Sequence, residues 1–263
     1  MSETAVKTGH PKGLWVLFGT EMWERFNFYG MRAILTLFLV NSLMMKEEEA
    51  SLIYGGFLGL CYLTPMLGGF IADRFFGNRN CILLGGLMMA IGQFLLFTSA
   101  SVFGTNLSLA NTLMWSALGI IIFGNGFFKP NISSMVGQLY EKGDSRLDAA
   151  FTIFYMGINI GAFICNFVAA YMRINYGWGH AFAAAGVGML IGVGVFLLGS
   201  KHIQHVDVVK PVQDGDMTTT KILSLTVLPM FAFGVLGYIL PGNFLGSDTN
   251  DAFIIGCLPV IAF

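Results

Sequence analysis

Six apolar stretches of this chain each run for 20 residues or more, longer than the roughly 18 that mark a bilayer-spanning helix. They lie at Gly13–Leu43, Ala50–Ala72, Cys81–Ala100, Asn111–Gln138, Ala149–Ile174 and Gly179–Gly199. A chain so built has lipid as its main solvent. Only 11% of its residues are charged and 55% are hydrophobic, whereas an ordinary soluble domain carries about 25% charge. That balance excludes a disordered chain, a nucleic-acid binder and a soluble globular domain. The pattern predicts an all-α polytopic membrane protein.

A polar segment, Ser200–Thr220, follows the sixth span, and a seventh apolar segment covers about Lys221–Leu240. An eighth begins near Asp251 and is still running at Phe263. About 13 residues make only about 20 Å of helix, so the chain is expected to stop inside one. The first twelve residues are polar and no small-residue cleavage site follows, so the first helix is expected to stay as an anchor. With the N-terminus inside, the inner segments hold nine basic residues, among them Lys12, Arg74, Arg79, Lys142, Arg146 and Lys201. The outer loops hold only Lys46 and Arg173. This bias predicts a cytoplasmic N-terminus. The four cysteines, Cys61, Cys81, Cys165 and Cys257, show no paired spacing and read as small hydrophobes.

Five charges lie inside spans: Glu21, Glu24, Arg25, Arg32 and Lys129. Each costs roughly 2.5–3.5 kcal/mol at bilayer depth on insertion scales, so they must face a bundle interior or a wet cavity. At 100° per residue Glu21, Arg25, Phe28 and Arg32 share one face of the first helix, with Glu24 and Tyr29 at its flanks. Glu21 and Arg25 form an i,i+4 pair, acid before base, and Glu24 is free to pair with a base on another helix. A carboxyl beside a guanidinium in low dielectric is poised for proton exchange, since a small rearrangement changes which effect dominates.

Three further segments point to a moving bundle. Gly68–Arg79 joins the second and third spans; its Asp73, Arg74 and Arg79 either lock a helix end by charge pairing or mark a tight turn. Gly124–Asn131 sets Lys129 just before a helix-distorting proline, Pro130. Phe154–Gly161 sets Tyr155 and Asn159 one turn apart beside glycines, which suits either a binding face or helix packing. Tyr62 alone reads as an ordinary interface aromatic.

Together these motifs resemble the proton-dependent oligopeptide transporter family of the major facilitator superfamily. Glu21-Met-Trp-Glu24-Arg25-Phe26-Asn-Phe-Tyr29-Gly30 resembles that family's E-x-x-E-R-F-x-x-Y-G, and Phe154–Gly161 resembles its F-Y-x-x-I-N-x-G. The Gly68–Arg79 and Gly124–Asn131 segments fall in order between them. The resemblance implies symport of di- and tripeptides with protons by alternating access, in a bacterial cell membrane, with the proton as coupling ion and no other cofactor or metal. It assigns Arg25, Arg32 and Lys129 to the peptide carboxylate, and Glu21, Glu24 and Arg25 to proton coupling. Tyr29, Tyr62, Tyr155 and Asn159 would line the peptide site, Tyr62 being placed by the register of the Tyr62–Gly69 run. Asp73, Arg74 and Arg79 would form a gating loop.

The family has twelve core helices in two halves. The resemblance therefore implies a cytoplasmic N-terminus over 1–12, a six-helix N-terminal bundle over 13–200, a linker over 201–220 and a partial helical hairpin over 221–263. The C-terminal half would be the missing partner. Rival readings are a same-family carrier of another small anion, an intramembrane enzyme and a pore. The enzyme lacks an HExxH or a Gly-x-Ser-x-Gly, and the mixed charges on one helix do not suit a filter.

Overall fold

The computed structural model describes residues 9–207 together with Thr218, Lys221 and Ser224. Six helices follow one another through short turns: α1 (Lys12–Asn41), α2 (Glu47–Ile71), α3 (Asn78–Val102), α4 (Leu107–Gln138), α5 (Leu147–Tyr176) and α6 (Trp178–Leu198). A π-helical turn over Ala72–Phe76 closes α2, and two short 3₁₀ turns, Ser200–His202 and Gln204–Val206, follow α6. There is no strand among the described residues. The seventh and eighth apolar segments lie, apart from Lys221 and Ser224, outside the described residues.

Local chemistry sets the helix ends. Glu47, Glu48 and Glu49 fill the first turn of α2, where negative charge complements the helix dipole. The Asn106 side chain caps α4 by accepting from the Leu109 amide at 3.0 Å. Gly77 (φ 76°) and Gly177 (φ 90°) take the left-handed backbone that turns α2 into α3 and α5 into α6.

α1 packs against α5 and α6, α3 against α4 and α6, and α2 against α4. Neighbouring helices alternate in direction. A Cβ on Gly13, at the start of α1, would come within 2.8 Å of Leu139 at the end of α4 and of the His202 carbonyl beyond α6. That end of the bundle gathers the start of α1, the α2–α3 and α4–α5 turns and residues 199–207. It also carries Lys12, Arg74, Arg79, Lys142, Arg146 and Lys201. Lys46 and Arg173 sit at the far end, the Arg173 guanidinium 4.2 Å from the Trp178 ring centroid.

α2 through α6 are each long and apolar enough to cross a membrane. α1 is as long, at 30 residues, and departs from them in composition through Glu21, Glu24, Arg25 and Arg32. Phe163, Phe167 and Leu198 stand exposed on the bundle's outer face, as lipid-facing side chains do.

Pro130 does not break α4, which runs unbroken past it. A proline removes one backbone donor and so frees the carbonyl four residues earlier, here that of Gly126. That carbonyl faces α2 at Gly68, where any Cβ would collide with it. Asn131 donates its side-chain amide to the Phe127 carbonyl at 2.6 Å. The Thr64 hydroxyl donates to the Ile122 carbonyl at 3.0 Å. The distortion expected at Pro130 is thus absorbed as a close α2–α4 seam.

Candidate functional site

The inward face of α1 carries the charge. Glu21, Glu24 and Arg25 are all buried, at 2%, 0% and 3% exposure. Arg25 Nε lies 3.1 Å from Glu21 Oε1 and also donates to Glu24 Oε2. Glu24 therefore pairs with its sequence neighbour, not with a base on another helix, because the guanidinium is near enough to serve both acids. Glu21 Oε2, Glu24 Oε1 and Arg25 Nη2 remain without hydrogen-bond partners.

Toward the far end, Arg32 is half-buried among rings. Its guanidinium carbon lies 5.6, 5.2 and 5.7 Å from the centroids of Phe28, Tyr29 and Tyr54, and Nε donates to the Tyr54 hydroxyl at 3.0 Å. Arg25 approaches Phe28 and Tyr29 at 5.4 and 5.8 Å, so those two rings separate the guanidiniums. On α4 the half-buried Lys129 ammonium lies 4.8 Å from the Tyr62 ring centroid. The Lys129 charge reaches Glu21, and the charges of Glu24, Lys129, Arg25 and Arg32 all reach Cys61 of α2. Glu21, Glu24, Arg25, Arg32 and Lys129 thus lie within electrostatic reach of the α1–α2–α4 face, three of them buried and two half-open. Two acids are held by one deeply buried base, and two further bases stand half-open on aromatic faces. Such an arrangement can attract a carboxylate and can exchange a proton.

Tyr155 and Asn159 stand on the exposed side of α5. Gly157 and Gly161 press against Phe18 and the Met22 carbonyl of α1, which turns Tyr155 and Asn159 to the opposite side. Both are exposed, and the Tyr155 ring packs on Phe151 and Phe154 of its own helix. The structure brings neither onto the α1 charges. Asp73 and Arg74 occupy the π-helical turn, and Arg79 begins α3. A further tie at that helix end comes from beyond α6: Asp207 Oδ1 accepts from the Asn78 and Arg79 amides at 2.8 and 3.4 Å.

Three features are not evident from the sequence. Tyr54 lies two turns before Tyr62 on α2, a spacing that hints at a shared role. Asn27 and Gln93, both fully buried, link α1, α3 and α6: Asn27 donates to the Ala185 carbonyl at 2.9 Å and accepts from Gln93 at 3.4 Å. Asp207 carries no local signal, because its partners lie more than 120 residues away.

The sequence profile of the POT family matches residues 79–230, more than half of the chain. This chain belongs to the POT family. The matched stretch takes in Lys129 and the α5 motif. A peptide transporter of Yersinia enterocolitica, YePEPT, is 40% identical over 193 residues, which is 72% of this chain and 36% of that protein. Dipeptide and tripeptide permease A of Proteus mirabilis is 37% identical over 188 residues, 72% of this chain and 37% of that protein. The chain therefore spans little more than a third of the length of these POT-family relatives.

Solved structures agree on the fold. A POT family transporter in complex with 5-aminolevulinic acid superposes with a TM-score of 0.76 at 32% identity, over 88% of this chain and 48% of that one. A mutant of a peptide transporter POT in complex with alafosfalin gives 0.72 at 31%, over 89% and 53%. The all-α fold is that of about half a POT transporter.

Proposed function

We propose that this chain supplies the N-terminal half of a proton-coupled symporter of di- and tripeptides that works by alternating access. Residues 13–200 form its bundle, 201–220 a cytoplasmic linker and 221–263 part of a hairpin leading to the C-terminal half. The site lies in a bacterial cell membrane with residues 9–12 on the cytoplasmic side, a side supported by the basic residues gathered at that end. The POT family consists of transporters, and no chemical conversion of substrate is part of the proposal.

One observation carries the reading: a guanidinium shared by two buried acids, Glu21 and Glu24, stands beside two half-open cations, Arg32 and Lys129. A peptide carboxylate entering between Arg32 and Lys129 competes with Glu21 and Glu24 for the three cations of the region. A glutamate that loses part of its counter-charge in that competition binds a proton more readily. Tyr29 and Tyr62 line the peptide site as rings beneath these cations. Tyr155 and Asn159 line it from the exposed side of α5, and Asp73, Arg74 and Arg79 gate the cytoplasmic end.

The test is uptake by the full-length protein in proteoliposomes under an imposed pH difference. Di- and tripeptides should accumulate above their external concentration, and acidification of the lumen should accompany them. Uptake that is peptide-dependent but blind to the pH difference would remove the proton from the scheme. A second reading, a carrier of another small amino-containing anion, is favoured by one specific observation, the POT-family neighbour bound to 5-aminolevulinic acid. Competition by that compound, with no competition by dipeptides, would select it.

A further inference from the structure

Asn125 of α4 is 1% exposed, and neither atom of its side-chain amide has a hydrogen-bond partner. Leaving a buried amide unpaired is costly, so its surroundings matter. On α4, Gly124 and Phe128 face α3 at Gly85, whereas Ile122 and Gly126 face α2 at Thr64. At 100° per residue Asn125 falls between those two faces, on the side away from the exposed Phe123 and one turn from Lys129. It therefore looks into the bundle, toward α1.

Its depth is fixed by the antiparallel pairing. Leu139 of α4 lies beside Gly13 of α1. Fourteen residues back along α4 and fourteen forward along α1 both cover about 21 Å, which sets Asn125 level with the turn from Glu24 to Phe28. That turn holds an unpartnered acceptor, Glu24 Oε1, and an unpartnered donor, Arg25 Nη2. A primary amide offers one group of each kind. The other titratable groups that act on this cluster are Glu21, Tyr29 and Arg32 on α1, Cys61 on α2 and Lys129 on α4 itself. α3 has no ionisable side chain between Cys81 and its end, and α6 has only His180.

We propose that Asn125 is a positioning residue of the proton-coupling cluster. Its unpaired amide stands in reserve in the structure, and donates to the Glu24 carboxyl when Arg25 turns toward a substrate carboxylate. A neutral donor suits that role. It satisfies the oxygen that Arg25 releases without adding charge, so the protonation of Glu24 stays linked to where Arg25 is. The proposal rests on the proton-coupled reading above.

The test is infrared difference spectroscopy of the purified full-length protein titrated with acid, the Glu24 band being assigned by its loss in Glu24→Gln. This readout needs no transport. A wild type that fails to accumulate peptide would sink the transport reading and leave the spectroscopic result to decide this one. In Asn125→Leu the C=O stretch of protonated Glu24 should move to higher frequency, as a carboxyl does on losing a hydrogen bond, and its titration midpoint should shift. Asn125→Asp preserves shape should the leucine variant fold poorly. The carboxyl it introduces should displace the midpoint of the Glu24 band by charge coupling. A Glu24 band unmoved in a folded Asn125→Leu, or untouched by the carboxyl of Asn125→Asp, overturns the proposal.

Discussion

Arg25 Nε stands 3.1 Å from Glu21 Oε1, one helical turn away, with both side chains 3% exposed. The same nitrogen serves Glu24, so the three residues behave as one group. Removing the base leaves two acids buried without a counter-charge, and breaking a buried pair from one side costs roughly 3–5 kcal/mol. Arg25→Leu should therefore lower the thermal stability of the detergent-solubilised protein strongly. Arg25→Leu combined with Glu21→Gln and Glu24→Gln should recover most of that loss. Equal stability of the single and triple variants would mean that the acids are already neutral in the folded protein.

The acids separate coupling from carriage. In the full-length protein, Glu21→Gln or Glu24→Gln should abolish accumulation driven by a pH difference while leaving peptide exchange across the membrane in counterflow. If both variants still concentrate peptide against its gradient, the coupling proton is carried by another residue.

Lys129 and Tyr62 test substrate capture. Lys129→Ala should lose both accumulation and exchange, since it removes a carboxylate ligand and a counter-charge for Glu21 together. The Tyr62 ring lies 4.8 Å from the ammonium at a site open to solvent, where a cation–π contact is worth about 0.5–1 kcal/mol. Tyr62→Leu should weaken peptide affinity roughly two- to fivefold, and Tyr62→Phe should not. Equal binding by all three proteins would show that the ring only covers Lys129.

Much of this arrangement was legible in the sequence because lipid punishes exposed charge so heavily. The need to hide Glu21, Glu24 and Arg25, together with their spacing, was enough to place them on one inward face. Helix ends were less legible. The expected second span began at Ala50, yet α2 starts at Glu47, because hydropathy marks where lipid begins and the first helical turn is made of acids. Pairings across the bundle were not legible at all. The choice of Glu24 between Arg25 and a base on another helix depends on side-chain reach. The orientation of Tyr155 and Asn159 depends on which side of α5 the glycines of the α1 seam occupy.

Asp207 should be worth testing as a cap. Its carboxylate accepts from two backbone amides at the start of α3 and so ties the segment after α6 to the α2–α3 turn. Loss of such a cap costs about 0.5–2 kcal/mol. Asp207→Ala should lower stability by that amount and raise protease cleavage in residues 200–207. Asp207→Asn, which keeps an acceptor oxygen, should lie close to wild type. Identical cleavage of all three would show that this contact does not hold the segment.

The same bundle end also gives a dependence on alkaline pH. The His10 ring lies 2.7 Å through Nδ1 from the Tyr140 hydroxyl, and Arg146 stacks at 5.6 Å on the Tyr140 ring while donating to the Gly9 carbonyl. The entry to α1 is thereby held to the α4–α5 turn. Burial pushes the Tyr140 phenol above its usual value of 10.0, with Arg146 pulling the other way and Asp144 adding to the rise. A raised value means that folding favours the neutral phenol. Its contribution is complete below about pH 10 and is lost as the pH rises through the higher folded value. Tyr140→Phe should therefore be less stable than wild type at neutral pH by about 0.5–1.5 kcal/mol, the worth of one hydrogen bond. The gap should close as wild type, but not the variant, loses stability above pH 10. Thermal midpoints of both proteins, measured side by side from neutral to strongly alkaline pH, make the comparison. A gap that stays constant across that range would show that the Tyr140 hydroxyl does not titrate with folding.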